Sequence, residues 1–161
     1  MRIQDLRERA RQPYNPHART SQPAQQAQPQ RASAYVAPDV VHQEVTTADV
    51  RELEKMIDQL FHKVGIDVAL SQTHFVQRMN DMRGPVTTKE VGDLFRKAFA
   101  KYGKLLAKSG PEMEAVLSDM QSAVNVPFNL YWNRDKEMLD MSAKTVMKKK
   151  DFRTRNRKLK V

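Results

Sequence analysis

The dominant spacing of apolar residues along this chain changes between residues 108 and 126, and that change decides the fold class. From residue 46 to about 108, apart from a short alternating stretch over 64–70, they recur every three to four residues; from 126 to 147 they alternate. The first spacing lays a stripe along a helix, and the second lays one face along a strand. Helices followed by strands make an α+β domain, here helices and then a small antiparallel sheet.

The elements can be placed within that frame. Val50, Leu53, Met56, Ile57, Leu60, Phe61 and Val64 predict a helix over 46–64, capped by Thr46 or Thr47 and stopped by Gly65. Ile66, Val68 and Leu70 predict a short strand. Phe75, Val76, Met79 and Met82 predict a helix over 73–84, ended by Gly84-Pro85. Thr87 and Glu90 form a capping-box pattern at the head of a longer helix reaching Lys108. Met113, Val116, Leu117 and Met120 continue the helical spacing and predict one more short helix. Val126, Phe128, Leu130 and Trp132, then Leu139, Met141, Ala143, Thr145 and Met147, predict a hairpin with one buried face. On this reading Trp132 is core, Tyr131, Lys144 and Lys148 face outward, and the methionines pack the interior.

Residues 1–45 are different. Pro13, Pro16, Pro23, Pro29 and Pro38 interrupt a Gln-, Ala- and Ser-rich stretch, which reads as a flexible arm. Three parts follow: an arm over 1–45, an α+β domain over 46–150, and a basic tail or edge strand over 151–161.

Charge is distributed unevenly among them. The arm carries six basic and four acidic residues, and residues 46–143 carry thirteen and fourteen. Residues 144–161 carry Lys144, Lys148, Lys149, Lys150, Arg153, Arg155, Arg157, Lys158 and Lys160 against Asp151 alone. A block of cations at one end of a balanced body points to contact with phosphate or an acidic partner.

Several chemistries are excluded. The chain has no cysteine, so thiolate metal sites and thiol nucleophiles are ruled out. The four histidines, His17, His42, His62 and His74, lack HxxxH or HExxH spacing, so no metal or other cofactor is expected. The first residues contain no apolar signal core, and no apolar run approaches the roughly 20 residues of a spanning helix, so no membrane partner is expected.

His74, Phe75, Arg78, Met79 and Arg83 at the head of a helix, and the later stretch from Lys144 to Arg153, resemble the RelE/colicin-type small ribonucleases. The stretches THFVQRMNDMRGPVTTKE and NVPFNLYWNRDKEMLDMSAKTVMKKKDFRT are also similar to segments of tailed-bacteriophage proteins. The resemblance covers about residues 64–155. It implies an ancestry of RNA binding or RNA cleavage, and a setting in host cytoplasm or virion.

Two candidate sites follow. His74 is the acid/base candidate, because imidazole titrates near neutral pH, and Arg78 lies one turn further along to steady a phosphate. The competing structural role for His74 is a helix-end hydrogen bond beside Thr73. Arg78, Asp81 and Arg83 also suit ordinary surface ion pairs. The nucleic-acid-binding candidates are Lys144, Lys148, Lys149, Lys150, Arg153, Arg155, Arg157 and Lys158, with Tyr131 as a stacking surface. Nothing in the cationic run reads base sequence, so an RNA or DNA backbone is the expected ligand. Catalysis rests on His74 alone, so binding without turnover is the first expectation. The alternatives are a virion component whose residues 1–45 lace into neighbouring subunits, and a metal-free RelE-like ribonuclease.

Overall fold

The structure, a computed structural model, describes residues 43–161. The expected arm lies outside the described residues up to residue 42. Val45 already belongs to the folded body: it is buried, and its backbone N–H and C=O both bond the Asn80 side chain at 2.8 Å.

Helix α1 spans Thr47–His62, opened by a capping box between Thr46 and Asp49. It buries Val50, Leu53, Ile57 and Phe61, as its apolar stripe requires. Gly65, at φ +77°, then turns the chain into strand β1, Ile66–Leu70. Helix α2 is shorter than its sequence spacing suggests and spans Gln72–Met79. Asp81 ends it early: its carboxylate accepts the Arg83 N–H and its carbonyl accepts the Gly84 N–H, the side-chain-stabilised turn that Asp favours. Met82, expected inward, is therefore 95% exposed. Helix α3, Thr88–Ala107, starts at the expected Thr87–Glu90 capping box.

The segment expected as a further helix is strand β2, Glu112–Ser118. Strands β3 (Val124–Asn133), β4 (Met138–Ala143), β5 (Met147–Lys148) and β6 (Arg157–Lys160) follow. The six strands form one sheet ordered β1-β4-β3-β2-β6, with β5 also paired to β3. The sheet is mixed rather than antiparallel, because β1 runs parallel to β4 and β6 parallel to β2. Residues 157–160 are thus an edge strand rather than a tail.

The helices lie on one face: α1 packs on β1 and α3, and α3 packs on β2, β3 and β6. Phe61 meets Phe95 and Phe99 edge-on at 6.0 and 5.3 Å, near the middle of this layer. Ala115 and Leu117 of β2 join this core, while Val116 is buried on the opposite face. Burial on both faces explains the misreading of β2, since a short continuous apolar run has the same pattern as a buried helix.

Two corrections bear on the site. Ala143 lies opposite Phe128 and Met147 lies opposite Asn125. Three residues (Lys144, Thr145, Val146) therefore face two (Val126, Pro127), which is a β-bulge. The extra residue reverses the alternation. Val146, expected outward, is fully buried, and Lys148 turns to the helical side, where it bonds Glu90 of α3 at 2.7 Å. Trp132, expected in the core, is 47% exposed. It stands past the last turn of α3, where Ala107, Lys108, Gly110, Pro111 and Leu139 leave an open notch around it.

Candidate nucleic-acid interface

The cationic end is organised by a crossover. Strand β5 lies on one side of β3 and strand β6 lies beyond β2, so residues 149–156 must cross two strands to join them. The start of the crossover is fastened to the β2–β3 turn. The Lys149 N–H donates to Ala123 O at 2.8 Å, and the Asn125 amide donates to both Ala123 O and Lys149 O at 2.9 Å. Asn125 is 3% exposed and also accepts the Ser118 hydroxyl at 2.8 Å. Ala123 sits at φ +61°, a left-handed conformation that costs about 1 kcal/mol or more for a residue with a Cβ. The three hydrogen bonds around its carbonyl and its neighbour hold it there.

Between this turn and the crossover lies a cleft of about 530 Å³. Lys149, Lys150, Arg153, Lys158 and Lys160 line it with Phe152. Two carboxylates also line it, Asp119 and Asp151. Asp119 is engaged elsewhere: it is 4% exposed, its Oδ1 accepts the Gln121 N–H and its Oδ2 takes Lys97 Nζ, both at 2.9 Å. Burial pushes this carboxyl up, but the bonds from Gln121 and Lys97 outweigh it and hold the group below the ordinary aspartate value. Lys158 bonds the Phe152 carbonyl and stands 5.5 Å from the centre of its ring. Among the described residues, Lys144, Lys149, Lys150, Arg153, Arg155 and Arg157 form no ion pair with a carboxylate, and all six are exposed.

The other expected residues are distributed around this cleft or away from it. Lys148 leaves the group through its bond to Glu90. Burial raises the Glu90 pKa, and the Lys148 and Thr87 hydrogen bonds more than offset it, so the group sits below the ordinary value. Tyr131 is 44% exposed but pairs with Glu112 and Asp140, at the far end of β3. It lies six residue steps from Asn125, about 20 Å along a strand. Its surroundings are acidic, since Lys136 already pairs with Asp67 and Asp140 there. His74 and Arg78 are exposed on α2, and Arg78 stands 3.8 Å from Asp81. Ser71, the residue before α2, donates its N–H to Ala143 O, which brings the start of this helix beside the bulge that begins at Lys144. Neither His74 nor Arg78 lines the cleft.

Sequence reasoning missed Phe152 and Asn125. Phe152 had a visible signal, a single aromatic residue inside a basic run. Asn125 had none, because its partners at positions 118, 123 and 149 become neighbours only through sheet pairing and the crossover. Among the described residues no helix is long and apolar enough to cross a membrane. No protein-family model, curated protein or solved structure matches this chain.

Proposed function

We propose that this protein binds nucleic acid through its sugar–phosphate backbone at the cleft between the β2–β3 turn and the 149–156 crossover. The observation that carries the reading is the convergence of five cations on one recess that holds two carboxylates, Asp151 and the buried Asp119, the latter already paired with Lys97. A recess with that balance attracts anions. Several exposed cations further along the run, including Lys144, Arg155 and Arg157, extend the attraction beyond the recess. A polyanion covering them releases counterions, so affinity depends steeply on salt. Titrating labelled RNA and DNA oligonucleotides between about 50 and about 200 mM salt tests this, with an expected loss of 10³-fold or more if six or more phosphates are covered. Weak binding that ignores salt would refute it.

A second reading, RelE-like ribonuclease activity, has one structural observation in its favour. Strand β1, two helices and then the antiparallel β2–β3–β4 follow the element order expected from the resemblance. In this reading His74 is the acid/base and Arg78 the phosphate partner. RNA incubated with the wild type and with His74→Ala distinguishes it from binding alone: loss of cleavage only in the variant supports it, and equal or absent cleavage opposes it. The virion or host-cytoplasm setting, and contacts of residues 1–45 with other subunits, belong to the same proposal as its biological context.

A further inference from the structure

The cleft has a shape and a lining that bear on the form of its ligand. Duplex DNA is read by an element that projects into a groove about 12 Å wide, usually a helix or a two-stranded ribbon. Here the cations sit on the walls of a recess instead. Its volume, about 530 Å³, is in the range that encloses a small organic ligand and accommodates a nucleotide far more readily than a double helix. Its lining combines cations with an aromatic ring, Phe152, and a flexible apolar side chain, Met120, which is 62% exposed on the turn side. Cations that follow the backbone, with an aromatic face for a base, are the pattern of single-strand binding.

Phe152 is also held in place. Its carbonyl takes a bond from Lys158, and the Lys158 ammonium lies 5.5 Å from its ring centre. The crossover that carries it starts at Lys149, which Asn125 ties to the β2–β3 turn. A ring fixed in this way loses little conformational freedom when a base stacks on it. The neighbouring Lys149, Lys150 and Arg153 then lie close enough in the chain to meet the phosphates on either side.

We infer that the cleft takes single-stranded nucleic acid, with one base against Phe152, in preference to a duplex. The inference rests on the backbone-binding reading above and adds the strandedness of the ligand. The test compares a labelled single strand with the duplex of the same sequence, in RNA and in DNA form, using the full chain. Phe152→Leu keeps an apolar side chain at this position and removes the ring; thermal unfolding checks that it remains folded, and Phe152→Tyr restores a ring. The wild type binds the single strand more tightly than the duplex. Phe152→Leu weakens single-strand binding about 5- to 150-fold, the range for one stacked base, while duplex binding and the salt dependence stay as they were. Phe152→Tyr recovers the single-strand affinity. Equal affinity for both forms, unchanged in Phe152→Leu, overturns this inference and leaves the backbone reading standing. Absence of salt-sensitive binding to either form overturns both.

Discussion

At the residue scale, the cleft depends on a few buried polar groups more than on its cations. Asn125 joins three backbone or side-chain partners that no other residue bridges. Asn125→Ala leaves Ala123 O, Lys149 O and the Ser118 hydroxyl short of a partner, so it should cost about 2–3 kcal/mol of stability by urea unfolding. It should also weaken oligonucleotide binding, because the segment carrying Lys149 and Lys150 loses one of its two ties to the β2–β3 turn. Carboxylates set the acid limb of stability. Asp67 is held below the ordinary value chiefly by its Lys136 hydrogen bond, and Glu90 and Asp119 are lowered by bonds that outweigh burial. A carboxylate with a depressed folded pKa stabilises fully above its unfolded pKa and loses that contribution as pH falls through the folded value. Asp58 works in the opposite sense, since burial raises its pKa and protonation relieves the cost. Thermal unfolding should therefore change little from neutral pH down to the ordinary values of 4.5 for Glu and 3.8 for Asp, then fall steeply below them. Glu90→Gln should flatten part of that limb.

At the element scale, the bulge between β4 and β5 fixes which side chains face the helices. Deleting Thr145 would leave two residues opposite two and restore simple alternation across the bulge. Val146 and Lys148 would keep the faces they have now, so this deletion should be tolerated, whereas Val146→Ala empties a buried position and should cost about 2–3 kcal/mol, read as a lower midpoint in denaturant. Sheet edges are also managed by named groups. The N–H groups of Val68 and Leu70 on edge strand β1 donate to Asp58 and Glu54 of α1 at 2.8 and 2.7 Å, so they are unavailable to a foreign strand. The helices were legible in the sequence because a long 3.6-residue stripe with capping residues at its head has few competing readings. β2 was not, since both of its faces are covered and the spacing of Met113, Val116, Leu117 and Met120 fits a helix equally well. The bulge left no trace, because one inserted residue changes neither composition nor the local hydrophobic content.

At the scale of the whole molecule, the charge asymmetry seen in the sequence becomes a surface with a direction. The crossover carries Lys149, Lys150 and Arg153 to the β2–β3 turn, and β6 adds Lys158 and Lys160 from the other side. The cations were legible as a run, but the cleft was not, because its walls come from residues 118–125 and 149–160 and only the sheet order joins them. Tyr131 shows the same limit in reverse: close to the hairpin in sequence, it ends at the opposite end of β3 beside Asp140. The central claim is that position, and not net charge alone, makes the binding surface. Two triple variants of equal charge separate these, Lys149→Gln/Lys150→Gln/Arg153→Gln at the cleft and Lys63→Gln/Lys108→Gln/Arg134→Gln, exposed positions away from it. The decisive measurement is the slope of log affinity against log salt for a single-stranded oligonucleotide. The account predicts that the cleft variant lowers the magnitude of the slope by about 2–3 units and the distant variant leaves it nearly unchanged. Equal losses in the two would contradict it.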